Sequence, residues 1–160
     1  EDAIIPTKRD EDAGYDIYCN VDGVETDEGL VHELLLEKGK VNFIPTGIAS
    51  YNNKEFYLDL KHERSSVAKL GVALLAGCVD SGFLGEIKIM AIPLIKDVLI
   101  TSKVDEVEEL DDVILYPYRK AFAQIIVSPV PKINIKEIAY SELLKLPSAR
   151  GTGGWGSSGK

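Results

Sequence analysis

Residues 71–89 read GVALLAGCVDSGFLGEIKI, and the reading of this stretch decides the fold. Aliphatic and β-branched residues on either side enclose a tight centre, Asp80-Ser81-Gly82-Phe83-Leu84-Gly85. Two such arms around a glycine-rich tip predict a β-hairpin, with Gly82 and Gly85 free to take positive φ at the turn or at bulges. Asp80 follows Gly77-Cys78-Val79 and is out of place on an ordinary core strand, because an unpaired buried carboxylate is costly. It is either a solvent-facing turn residue or a carboxylate at the rim of a pocket made by the hairpin itself. Gly77 would let a planar ligand approach the main chain closely. Cys78 reads as a small buried apolar residue rather than a nucleophile.

Working outward, the same period of two recurs. Tyr15, Ile17 and Cys19 alternate with polar neighbours, as on a half-buried strand. Residues 20–30 are acidic and broken by Gly23 and Gly29, which suggests a loop or ragged hairpin. Two strands, 34–37 and 40–44, flank the turn Glu37-Lys38-Gly39, and residues 56–60 alternate cleanly. Beyond the hairpin, strand character is expected over 92–100 and 123–130, with Pro129 and Pro131 as the stop, and a helical turn over 141–146. Many short strands with turn signals and little helical period predict an all-β sandwich, barrel or jelly roll. Residues 1–149 form this domain, with a surface insert over about 97–118 that includes the acidic run 105–112. Residues 150–160, RGTGGWGSSGK, hold five glycines in eleven residues and read as a flexible tail.

Bulk properties narrow the function. The chain has 160 residues, 45% hydrophobic and 28% charged, enough for one domain with a sizeable core. A formal net charge of −8 argues against DNA or RNA as a partner, since duplex binders show a basic face. Two cysteines form neither a disulfide framework nor a zinc spacing, so an intracellular compartment, cytoplasmic or nuclear, is expected. No run of about 20 apolar residues suggests a membrane span, and no signal peptide is apparent. His32 and His62 have no partner at metal-ligand spacing.

Two further segments carry chemistry. Arg64, Ser65 and Ser66, with Lys69 just beyond, combine a planar fork of donors, two hydroxyls and an ammonium, a set suited to phosphate oxygens. The competing role is structural, with a serine capping a turn over 67–70. The tail pairs a leading Arg150 with Trp155, the one tryptophan of the chain. Its glycines can present N–H groups to phosphates, and the indole can stack on a flat ring, as in a flap that closes over a ligand. A plain linker is the alternative for so much Gly and Ser.

These segments, in this order, resemble the five motifs of the trimeric dUTP pyrophosphatase (dUTPase) family. Asp12-Ala13-Gly14-Tyr15-Asp16 resembles the first and Arg64-Ser65-Ser66 the second. The segment from Gly77 to Gly85 resembles the third, Ala123-Gln124 the core of the fourth, and the tail from Arg150 the fifth. The resemblance implies a jelly-roll fold, a homotrimer with shared active sites, and hydrolysis of dUTP to dUMP and pyrophosphate. By the same resemblance Asp80 is the general base, and Gly77, Val79, Phe83 and Trp155 hold uracil and deoxyribose. The phosphates fall to Arg64, Ser65, Ser66, Gln124, Arg150, Gly154, Gly156 and Ser157. Mg²⁺ is the implied cofactor, held by no direct protein ligand, with Asp16 reaching it through water.

The chain departs from the family's pattern in several places. Phe83 and Trp155 stand where the family usually has Tyr and Phe. Ala121 takes the place of a basic residue three positions before Gln124, with Arg119 and Lys120 displaced upstream. The link over 92–118 is longer than usual, and its acidic run is a candidate surface for a protein partner. The family's opening strand before Ala3 is absent, which reads as truncation. A dCTP deaminase of the same fold is the nearest rival, but it needs a carboxylic acid close to the position of Met90. A nucleotide-sensing regulator that keeps the pocket is the rival from another class.

Overall fold

The computed structural model describes residues 3–60 and 65–154. Its secondary structure is almost entirely β. The strands are β1 (Tyr15–Ile17), β2 (Gly23–Thr26), β3 (Gly29–Leu36), β4 (Asn42–Ile44) and β5 (Phe56–Asp59). A single-turn helix α1 (Ser65–Lys69) follows, and then β6 (Val72–Leu75), β7 (Cys78–Val79), β8 (Ile89–Pro93) and β9 (Asp97–Thr101). The chain continues through β10 (Glu108–Glu109), β11 (Val113–Pro117), β12 (Ala123–Pro129) and α2 (Tyr140–Leu143). No helix among the described residues is long and apolar enough to cross a membrane.

Three sheets result, with strand orders β1-β12-β5-β7, β10-β11-β9-β3-β2 and β4-β8-β6. Neighbouring strands are antiparallel except for β9 and β11, which run parallel. The alternation read from sequence is the physical cause. In β8, Ile89 and Ala91 are fully buried while Met90 between them is not, so one face of the strand meets the core. Ile17, Leu36, Ile44, Val98, Ile100 and Tyr116 join the same core, each 1% exposed or less. The phenol of buried Tyr116 donates to the Ala121 carbonyl at 2.7 Å, which offsets the cost of burial.

The central hairpin differs from its sequence-based outline. Its arms are β6 and β8, paired from Val72 opposite Pro93 to Leu75 opposite Met90. Between them the chain leaves the sheet: Cys78 and Val79 pair instead with Asp59 and Leu58 of β5. Gly82 and Gly85 do not supply the positive φ expected of them; the left-handed residue is Ala76, at φ 51°. The tip turn closes without one, the Phe83 N–H donating to the Asp80 carbonyl at 3.0 Å. Gly77 is required by the packing of the protein itself. A Cβ there would lie 2.8 Å from the Leu60 carbonyl oxygen, which this tight crossing brings against the main chain. Cys78 is exposed, contrary to expectation, because the crossing turns it out of the core; Cys19 is buried.

The 97–118 stretch is more than a surface loop. It supplies β9, β10 and β11, and Val98, Ile100, Ile114 and Tyr116 belong to the core. Only its middle, including the acidic run at the edge strand β10, lies open to solvent. The strand expected over 92–100 is two strands, broken where Leu94 donates its N–H to the Gly71 carbonyl. The chain divides into two compact units, residues 1–130 and 131–160. In the second unit α2 is a single turn, near the expected 141–146.

Candidate active site

The hairpin does build a pocket. Where β6 and β8 part and the tip crosses to β5, a cavity of about 300 Å³ opens. Cys78, Val79, Asp80 and Phe83 of the tip form one side. The other is formed by Lys88 and Met90 of the returning arm and by Phe43, paired with Met90 across β4 and β8. Asp80 is therefore a rim carboxylate facing a partly apolar cleft. The Phe83 ring folds back over Gly85, where a Cβ would meet it at 2.7 Å, and so forms a flat apolar surface beside the carboxylate. Phe43, Lys88 and Met90 were not singled out as ligand contacts by the sequence. Their one signal was the alternation that places residues 88 and 90 on the face opposite the buried Ile87 and Ile89.

The first and fourth motifs meet elsewhere on the molecule. Asp16 of β1 lies directly opposite Gln124 of β12, whose Nε2 donates to Asp16 Oδ1 at 3.1 Å. Gly14 gives room for this pair, since a Cβ there would come within 3.1 Å of the Gln124 Cβ. A small polar cavity beside it is lined by Thr7, Lys8, Arg9, Asp12 and Asp16. Arg9 and Asp12 are joined there at 2.9 Å, and the Asp12 hydrogen bond and charge raise the already high guanidinium pKa. In the sheet order β1-β12-β5-β7, β5 separates this pair from the strand that leads to Asp80. At a strand spacing of about 4.8 Å, β12 lies about 10 Å from β7 and β1 about 14 Å.

Ser65 and Ser66 open α1, whose Val67 is buried and anchors the turn in the core. Arg64 lies outside the described residues, as do Trp155, Gly156 and Ser157. Arg150 and Gly154 belong to the second compact unit. There the Arg150 Nε donates to the Gly153 carbonyl at 2.6 Å and the Gly151 N–H to Ser148 Oγ at 2.9 Å, a turn tied to itself. Among the described residues no group of three or more His, Cys, Asp or Glu side chains could cage a metal ion.

No protein-family model matches the chain, but known proteins resemble it along most of its length. A deoxyuridine 5′-triphosphate nucleotidohydrolase of Rickettsia bellii is 30% identical over 128 residues, covering 79% of this chain and 73% of its own. The Clostridioides difficile protein of the same name is 30% identical over 162 residues, covering 99% and 92%. Among solved structures, the Staphylococcus bacteriophage 80alpha dUTPase with dUPNHPP superposes with a TM-score of 0.70 at 22% identity, covering 99% of this chain and 93% of that one. A dUTPase of phage phi11 of S. aureus, whose structure addresses the coordination of a structural Mg(II) ion, gives 0.61 at 20% identity, covering 89% and 94%. The fold is thus that of an all-β, jelly-roll nucleotide hydrolase. The chain belongs to the deoxyuridine 5′-triphosphate nucleotidohydrolase family, the dUTP diphosphatases.

Proposed function

We propose that this protein hydrolyses dUTP to dUMP and pyrophosphate, with Asp80 as the general base. The observation that carries the reading is the placement of the third motif: the Asp80 carboxylate at the rim of a base-sized pocket, next to an aromatic face. Asp80 takes a proton from a water molecule as that water's oxygen bonds to the α-phosphorus. The bond from the α-phosphorus to the oxygen bridging to the β-phosphate breaks, and pyrophosphate leaves with its electron pair. Phe83 packs under the deoxyribose, where a 2′-hydroxyl would be excluded. Gly77 and Val79 present main-chain groups to the uracil.

The phosphate chain needs more donors than the one ammonium, Lys88, that lines this pocket. Ser65 and Ser66 supply hydroxyls, Arg64 and Arg150 guanidinium groups, and Gln124 an amide, with N–H groups from Gly154, Gly156 and Ser157. Mg²⁺ on the triphosphate supplies charge neutralisation at the reacting phosphorus. The donor set fits an ion carried by substrate rather than one caged by protein: Asp16 is one hard carboxylate, oriented by Gln124, suited to the water shell of such an ion. Asp16 and Gln124 sit two and more strands away from Asp80 in the sheet order. In a homotrimer each site would draw its motifs from several copies.

Deamination of dCTP is the less favoured reading. Met90, at the position where that reaction needs a carboxylic acid, and its neighbour Phe43 offer none, and the Glu86 carboxylate of the same wall is held by the Thr46 and Gly47 N–H groups. Pyrophosphate release from dUTP, with dCTP in parallel, tests the reading. Release from dUTP alone supports it, and ammonia from dCTP or no reaction with either nucleotide refutes it.

A further inference from the structure

The outward face of the five-stranded sheet is apolar along its middle and acidic around it. Leu36, Val98, Ile100, Ile114 and Tyr116 point into the core, each at most 2% exposed. Leu35, Leu99 and Leu115, one position along from these on β3, β9 and β11, therefore point the other way. The register sets the three leucines side by side, Leu35 opposite Leu99 and Leu99 opposite Leu115. At a strand spacing of about 4.8 Å they form a stripe about 10 Å long. Leu35 is 50% exposed, and Leu99 and Leu115 are half-buried. Val24 and Val31, paired at the β2 edge, extend the apolar surface. Carboxylates fix its margins. Glu33 Oε1 accepts the Thr101 hydroxyl at 3.0 Å and lies 3.2 Å from Lys103 Nζ. Asp97 Oδ1 accepts the Lys38 N–H at 2.7 Å, and Glu108 closes the β10 end opposite Leu115.

The charge of this sheet departs from that of the rest of the chain. Segments 22–37 and 97–117, which hold its five strands, contain thirteen of the chain's 26 Asp and Glu and one of its 18 Lys and Arg. They carry −12, and the remaining residues carry +4. We propose that this face docks a partner protein through a basic amphipathic segment, an apolar stripe flanked by Lys or Arg. The partner's apolar side chains bury Leu35, Leu99 and Leu115, and its cations meet the acidic margins. Nucleic acid and anionic membrane surfaces are repelled by the same margins. A two-fold contact between copies would set this acidic face against itself. None of its residues lines the pocket of Asp80, so the surface is separate from the nucleotide site.

The test is fluorescence anisotropy of two short labelled peptides titrated with the full-length protein. One is built of Leu and Lys as an amphipathic helix, and the other replaces each Lys with Glu. The Lys peptide should bind and the Glu peptide should not. Leu35→Lys, which interrupts the stripe with a like charge, should weaken the Lys peptide about tenfold. Val127→Lys makes the same charge change at an exposed apolar residue of β12, in another sheet, and should leave binding nearly unchanged. Glu108→Lys should also weaken binding, and its exposed edge position keeps the test intact if Leu35→Lys melts early. Equal affinity for the two peptides, or equal losses in Leu35→Lys and Val127→Lys, would overturn the proposal. So would a hydrogen-exchange footprint of the peptide outside β3, β9 and β11. A smaller assembly in Leu35→Lys by light scattering would overturn it too, making the face a contact between copies. Binding is read without dUTP, so failure of the hydrolytic reading would leave the docking surface standing.

Discussion

Asp80 and the two cysteines show how one crossing sets the chemistry of single residues. The backbone leaves the β6–β8 pairing at Ala76 and joins β5 at Cys78, so Asp80 emerges at a rim rather than in the core. Its exposure means that Asp80→Asn removes the base without burying an unmatched group. We expect that variant to keep its fold and its affinity for dUMP while turnover falls by roughly 10²–10⁴-fold. Thermal melting, dUMP titration and a pyrophosphate assay check this together, and near-native turnover would exclude Asp80 from the mechanism. The same crossing exposes Cys78, whereas burial pushes the Cys19 thiol up to about 12. A thiol reagent at pH 8 should therefore modify Cys78 in the native protein and reach Cys19 only on unfolding. Occupancy of the pocket by dUMP should slow the reaction at Cys78. A second consequence concerns alkaline stability. The unfolded Cys19 thiol ionises from its ordinary range near pH 9 while the folded one keeps its proton, so the unfolded state is favoured as pH rises toward 12. Denaturant midpoints measured across that window should fall more steeply for the native protein than for Cys19→Ala.

At the scale of elements, the long link between the third and fourth motifs is the most informative. Its acidic centre suggested a solvated addition, yet β9 bridges β3 and β11 in the five-stranded sheet. Ile100 of β9 is 1% exposed, and Leu110, near β10, is 48% exposed. Ile100→Ala should cost about 2–5 kcal/mol of stability, because it leaves a cavity in a packed core. Leu110→Ala should change stability by no more than about 0.5 kcal/mol. Equal and small effects in denaturant unfolding would show that this stretch is peripheral after all. Lys96 closes the edge, its ammonium reaching Glu109 at 2.7 Å and the Leu110 carbonyl at 2.9 Å. This pair tethers the acidic segment locally and, being largely solvated, adds little stability.

At the scale of the whole molecule, the proposed sharing of sites between copies would make assembly the condition for activity. Light scattering should give three times the 17.5 kDa chain mass, and dilution below the assembly constant should abolish turnover. An active monomer would refute a site shared between copies. Removal of residues 150–160 should leave that assembly intact while crippling dUTP hydrolysis, since it deletes Arg150, Trp155 and the glycine N–H groups together. Full turnover in the truncated protein would separate the tail from the site.

Much of this was legible in the sequence because it depends on local pattern. The period of two in residues 15–19, 56–60 and 89–93 follows from which face of each strand meets the core, so the all-β class was readable. Motif order brought Asp80, Gln124 and the serines into view without coordinates, since residue type and spacing suffice to match a family. What the strands pair with was not legible. Cys78 opposite Asp59, the parallel β9–β11 pair and the burial of the supposed insert depend on contacts distant in sequence. Gly77 shows the limit plainly: sequence marks a place where a close approach is possible, and only the tertiary crossing reveals that Leu60 makes it. Glu86 is a second case: it lies outside the core, and only the fold brings its carboxylate to the N–H groups of Thr46 and Gly47. Sequence by itself determined the strand periods and the motif chemistry, because both are written in neighbouring residues. Tertiary structure alone decided which arms form the pocket and where each motif lies in the sheet order, because sheet order is a property of long-range pairing.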